Sequence, residues 1–180
     1  MSKKWGSADF AQLKALQERL QELERMDLDK FCEDCSKELA ARLLALVIPR
    51  TPVGQHPKES GKKGGTLRRG WTVATHEEAE AGSGTPSAKK AVEYAQSLKV
   101  TMSGDTYTIE VVNPVKYASY VEFGHRQKPG RYVPALGKKL KSGFVRGQYF
   151  LTFSEQELER IAPALLEKKL NAMLKEVFNG

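Results

Sequence analysis

The sequence predicts an α+β fold: a small antiparallel β-sheet flanked by N-terminal helices and a C-terminal helix, with long basic loops. Three observations lead there. Apolar residues recur at helical spacing near both ends of the chain, and short alternating stretches broken by Gly and Pro fill the middle. Two stretches rich in Gly and Pro also concentrate positive charge. Helical patterns at the two ends with strand patterns between them put the chain in the α+β class.

Taken in order, Asp9 with Gln12 forms a capping-box pattern, followed by an apolar stripe at Phe10, Leu13, Leu16, Leu20, Leu23 and Met26. A second helix is predicted to start near Asp27 or Asp29, with a stripe at Leu28, Phe31, Cys35, Leu39, Leu43 and Leu46, and Pro49 to stop it. Both stripes are expected to pack on the protein's own sheet, with subunit pairing as the alternative. Residues 49–66 carry three prolines and four glycines and read as an exposed loop. Leu67, Arg69, Trp71 and Val73 share one parity, which predicts a strand over 67–75. An acidic loop is expected at 77–87, and strands over 97–102 and 106–112 form a hairpin around Ser103-Gly104-Asp105. Tyr107, Ile109 and Val111 lie on one face of its second strand.

Residues 117–123 fit a short helix closed by Gly124. A basic loop follows, then a strand over 147–153. Ser154 and Glu157 suggest a second capping box opening a C-terminal helix, with a kink or fresh start at Pro163. The organisation expected is one domain over 1–180. Its helical part spans 9–48, a sheet lies in 66–153 with basic loops at 50–70 and 124–147, and the last helix spans 154–178.

A chain of 180 residues buries enough surface to need no disulfide or metal staples, and its 40% apolar and 28% charged residues are those of an ordinary folded protein. No apolar run is long enough to span a bilayer, so no membrane partner is expected. The first ten residues lack the apolar stretch of a secretory signal, and two cysteines fit synthesis in a reducing cytoplasm.

The net charge is +7. Residues 50–70 contribute +5 and residues 124–147 contribute +7 with no acid among them, so the remainder of the chain stands at −5. Two loops, rather than the whole surface, hold the basicity. Lys58, Lys62, Lys63, Arg68 and Arg69 lie in the first, and Arg126, Lys128, Arg131, Lys138, Lys139, Lys141 and Arg146 in the second. Cations interleaved with glycine and aromatic residues suit DNA phosphates or an acidic partner, and no helix presents a base-reading face. Solvated loops are the bland alternative.

Catalytic chemistry finds little support. Cys32 and Cys35 stand three apart on one helix with no second ligand pair, so small core fillers are expected and no metal. Glu122 and His125 would make an acid–base pair, but no nucleophile context accompanies them. No cofactor is expected.

The order of motifs carries further information. Thr51-Pro52-Val53 is followed by Gly65-Thr66-Leu67-Arg68-Arg69-Gly70-Trp71, then Tyr117-Ala118-Ser119-Tyr120-Val121-Glu122-Phe123-Gly124-His125-Arg126, then Gly147-Gln148-Tyr149-Phe150-Leu151. Over about residues 10–178 this order resembles the neck, or tail-completion, family of long-tailed bacteriophages, often labelled a minor tail component. Thr51, Pro52, Leu67, Trp71, Tyr117, Tyr120, Glu122, Phe123 and Gly124 carry the likeness. Three departures stand out: residues 54–64 lengthen the connection and add Lys58, Lys62 and Lys63, the acidic residue common next to that turn is absent, and the glycine usual after the threonine here precedes it, as Gly65.

The resemblance implies a structural virion protein, not an enzyme, made in the bacterial cytoplasm and placed at the head–tail neck. It implies a homo-hexameric ring with heterologous interfaces, touching a head-completion or connector protein, a tail terminator or tube protein, and packaged DNA. Of Tyr117, Tyr120, Val121 and Phe123, at least two are expected in the core and the others as interface anchors. A tail terminator ring is the alternative within that setting, and a non-specific nucleic-acid-binding module the alternative outside it.

Overall fold

A computed structural model describes residues 11–25, 28–55, 64–134 and 137–179. Helix α1 spans Ala11–Arg25 and α2 spans Leu28–Arg50. Next come the short α3 (Thr66–Arg69), a 3₁₀ turn over Gly70–Thr72, α4 (His76–Ala81) and α5 (Ala88–Ser97). Strands β1 (Val100–Ser103) and β2 (Thr106–Ile109) form a hairpin, and α6 (Ala118–Phe123) leads into β3 (Gly124–Arg126). Strands β4 (Tyr132–Val133), β5 (Lys138–Lys139) and β6 (Phe144–Arg146) follow, before α7 (Phe150–Asn179) closes the described chain. The α+β class holds. Among the described residues, however, the expected sheet is three separate two-stranded antiparallel ladders, β1–β2, β3–β6 and β4–β5.

Helix α2 is the axis of the body, packed against α5, α7 and the β1–β2 hairpin. Its innermost side chains are Ala40, Leu44, Val47 and Ile48, which meet Leu67, Trp71, Ala79, Ala91, Ala95, Val115 and Phe150 in one core. Alanines at 40, 91 and 95 leave room for α2 and α5 to approach closely. The sequence stripe ran one position off: Leu39, Leu43 and Leu46 are half-buried, Leu28 is exposed, and only Cys35 is fully buried. A helix surrounded on several sides has no single apolar face, so its stripe cannot be read from spacing alone. Burial pushes the Cys35 thiol above its ordinary range, in keeping with an inert filler. Pro49 does not end α2 at once; the helix closes one residue later, at Arg50.

Helix α1 corrects another expectation. Leu16 and Leu20 are 46% and 48% exposed, so its stripe is not buried on the body. Asp9, Phe10 and Met26 lie outside the described residues, as do the side chains of Leu13 and Leu23.

Where 67–75 reads as a strand, the chain makes α3 and a 3₁₀ turn. Leu67 and Trp71 are four apart, a spacing that suits both periods, and only tertiary contacts decide between them. The expected acidic loop holds α4, opened by a complete capping box of Thr75 and Glu78, and Ser87 caps α5. The expected hairpin forms, with narrower bounds: Ser97 ends α5, the strands span 100–103 and 106–109, and Ser103 pairs with Thr106 so the turn is two residues, while Ile109 and Val111 pack on the core. The Tyr107 hydroxyl donates to Asp29, tying the hairpin to the start of α2, and that bond pushes the phenol up to about 12. The strand expected at 147–153 is absent among the described residues, because α7 already begins at Phe150. It then runs through Pro163 without a fresh start.

Candidate functional site

The family motifs divide between two places. One is a knot inside the body. Thr51, fully buried, donates from Oγ1 to the Val47 carbonyl at 2.7 Å and accepts from Trp71 Nε1 at 2.8 Å. The Trp71 ring meets Phe150 edge-on, with centroids 6.2 Å apart. Arg68 donates to the carbonyls of Thr51 (2.6 Å) and Pro49 (3.0 Å), placing a cation on the C-terminal carbonyls of α2. Arg69 is buried, and its guanidinium donates to the carbonyls of Ala79 (2.7 Å), Gly64 (3.0 Å) and Gly84 (3.4 Å) and to Thr66 Oγ1 (3.2 Å). Five donors in a rigid fork can gather three segments in this way, which Lys cannot do. The structure therefore places two cations named as contact residues at internal joints. Lys58, Lys62 and Lys63 lie outside the described residues; Pro52 is half-buried beside Thr51.

The second part of the knot is Glu122. Its buried carboxylate accepts from the backbone of Leu151 (3.0 Å) and Thr152 (2.9 Å) and from the Thr152 hydroxyl (2.7 Å). It thus caps α7 from 29 residues away, where a negative charge meets the positive end of a long helix. The capping box read at Ser154 is displaced by this arrangement: Ser154 lies within the helix and donates to the Phe150 carbonyl, while Glu157 pairs with Arg50. Nor do Glu122 and His125 pair, since Glu122 turns inward and the His125 ring tilts against Tyr120. Gly124 is pinched at this junction. Its φ is +83°, and a Cβ there would strike the Val145 carbonyl and the Gly147 nitrogen.

The other place is an arm. Of residues 124–147, expected as a loop, the described stretches 124–134 and 137–147 pair as a β-ribbon. Gly124 pairs with Arg146, His125 with Val145 and Arg126 with Phe144, and farther out Tyr132 pairs with Lys139 and Val133 with Lys138. Five residues lie between Arg126 and Tyr132 but four between Lys139 and Phe144, so the first strand carries a bulge. Lys128-Pro129-Gly130-Arg131 accounts for it: Arg131 N donates to the Lys128 carbonyl at 3.3 Å, and Gly130 has a φ of +81°. Proline followed by a left-handed glycine is the pattern of a type II turn.

All seven cations of the arm, Arg126, Lys128, Arg131, Lys138, Lys139, Lys141 and Arg146, are exposed. Among the described residues none of them takes part in an ion pair. Opposite residues share a face and neighbours alternate. Lys139 with Tyr132 therefore lies on one face of the outer ladder and Lys138 with Val133 on the other. Around the arm's base sit Tyr120, Phe123, Phe144, Tyr149 and Phe153, each between 41% and 59% exposed. Of Tyr117, Tyr120, Val121 and Phe123, of which at least two were expected in the core, only Val121 packs there; the other three are exposed.

Several residues that hold this arrangement escaped the sequence reading. Asn113 donates to the Leu67 carbonyl at 2.8 Å and accepts from Val115 N at 3.2 Å, and no local pattern announces it. Phe144 falls in the segment expected as a loop, and Tyr149 and Phe153 in the stretch expected as a strand. Only the Pro-Gly pair at 129–130 offered a signal for the ribbon. Among the described residues no group of His, Cys, Asp and Glu is placed to hold a metal ion, and no helix is long and apolar enough to cross a membrane.

No curated protein and no solved structure matches the chain significantly. A family model does, over residues 14–124, and its description reads "Bacteriophage HK97-gp10, putative tail-component". The matched stretch contains Thr51, Arg68, Arg69, Trp71 and Glu122 of the knot but not their partners in α7, and it ends where the arm begins. This chain belongs to the HK97-gp10-like family of bacteriophage tail components.

Proposed function

We propose that the protein is a neck component that completes the tail and joins it to the DNA-filled head, working as a ring around the DNA channel. As a tail component it has its place in the virion. The observation that supports the finer reading is the arm: a ribbon of seven cations with no ion pair among the described residues, based on exposed aromatics and attached to a body whose own formal charges sum to zero. A joining ring has to meet copies of itself, the head side and the tail side at once, and this chain offers distinct surfaces for them. Exposed aromatics such as Tyr120, Phe123 and Phe153 suit the desolvated centre of a protein interface. The uncovered Leu16 and Leu20 of α1 and Leu166 and Leu170 of α7, two helices in contact, offer further apolar surface, and a heterologous ring contact requires two unlike patches. Head-completion, connector and tube or terminator proteins are the partners this position implies.

Deleting the gene and imaging the lysate tests the reading. Filled heads beside separate tails of normal length are expected. Overlong tubes would assign the protein to the tail terminator instead, and joined, infectious particles would remove it from the neck altogether.

A further inference from the structure

We infer that the arm binds the sugar–phosphate backbone of duplex DNA without sequence preference; the inference takes the arm as the contact element of the neck reading and names its ligand. Geometry favours DNA over an acidic protein surface. Opposite pairs put Lys139 on one face of the outer ladder and Lys138 on the other, and a flat acidic surface meets only one face of a ribbon. A DNA groove has phosphates along both walls, and the major groove is wide enough for a two-stranded ribbon. Protein interfaces, by contrast, deplete charge at their centre and enrich aromatics. That chemistry is present in this chain, but at the arm's base rather than along the cationic ribbon.

Charge distribution points the same way. No acid lies between residues 124 and 147, and no described ion pair occupies the arm's cations, so none must be broken before phosphates are met. With Arg68 and Arg69 committed to carbonyls inside the body, DNA has the arm to grip. The type II turn at 128–131 adds a bulge, and bulges increase the twist of a ribbon, which helps it follow a groove. Long flexible lysines need only reach a charge, so binding is governed by counterion release and carries no base preference.

Full-length protein titrated with a fluorescent duplex of arbitrary sequence, across a sodium chloride series, tests this. The slope of log K against log salt is expected to approach about −6 if all seven cations engage. Replacing Lys138, Lys139 and Lys141 by Gln is expected to reduce its magnitude by about 2 to 3. The single changes Lys138→Gln and Lys141→Gln, which guard against a folding defect in the triple variant, each reduce it by about 1. Neutralising the body residues Lys90, Lys168 and Lys175 leaves it unchanged. Equal effects of arm and body variants, or polyglutamate bound as tightly as duplex, overturn the inference. Absence of DNA binding while head–tail joining still depends on the arm lysines overturns the inference and leaves the neck reading standing. DNA binding with joining indifferent to those lysines does the reverse.

Discussion

The body and the arm treat the same residue type in opposite ways. Arg68 and Arg69 in the body spend their donors on backbone carbonyls and, for Arg69, the Thr66 hydroxyl, and Arg69 is only 5% exposed. Arg126, Arg131 and Arg146 in the arm are exposed and free of ion pairs among the described residues. Charge counted along a sequence cannot separate these uses. A buried guanidinium surrounded by carbonyls is a structural joint, and an exposed one beside others of its sign is a site in waiting.

The largest way to break the comparison is at the knot. Trp71→Ala is expected to cost about 3–5 kcal/mol by thermal or urea unfolding, because a large ring leaves the centre of the core and Thr51 loses its donor. Arg69→Leu should cost about 2–4 kcal/mol, since the Ala79 and Gly64 carbonyls lose their donor in a buried setting. Glu122→Ala comes next, at about 1–3 kcal/mol, as the α7 amino terminus loses its cap. Neutralising Lys138, Lys139 and Lys141 should move stability by less than about 0.5 kcal/mol, the size expected for exposed surface changes. If the arm triple proved as costly as the body variants, the division would fail.

A smaller effect sharpens the division through pH. Lys169 and then Arg42 hold Glu38 below the ordinary glutamate value of 4.5, and Arg50 holds Glu157 below it too. A depressed carboxylate stabilises the fold above its unfolded value, and that contribution is lost as pH falls through the folded one. The body should therefore lose stability as the pH drops below about 4.5, and Glu38→Gln should blunt part of that loss in pH-dependent melting. Between residues 124 and 147 there is no carboxylate to take part.

The helices at both ends, the hairpin around Gly104 and the short helix before Gly124 were legible because their signals are local: periodicity, a turn, a C-cap. What escaped depends on distant partners. The turn at 66–72 became helical because Leu67 and Trp71 reach one core, and the start of α7 moved to Phe150 because Glu122 caps it from another segment. The exposure of the basic residues was half legible. The seven arm cations were singled out by charge and stand exposed, whereas Arg68 and Arg69 looked identical in sequence and lie at internal joints. No spacing rule distinguishes them, since burial is decided by which carbonyls the fold brings near.

The most direct measurement of the account is complementation with the arm variant. A phage lacking the gene is supplied with protein in which Lys138, Lys139 and Lys141 are Gln, after its melting temperature has been matched to that of the wild type, and joined particles are counted by electron microscopy. The account predicts filled heads and normal-length tails that remain apart. Joined particles at the wild-type frequency, made with a folded variant, would contradict it.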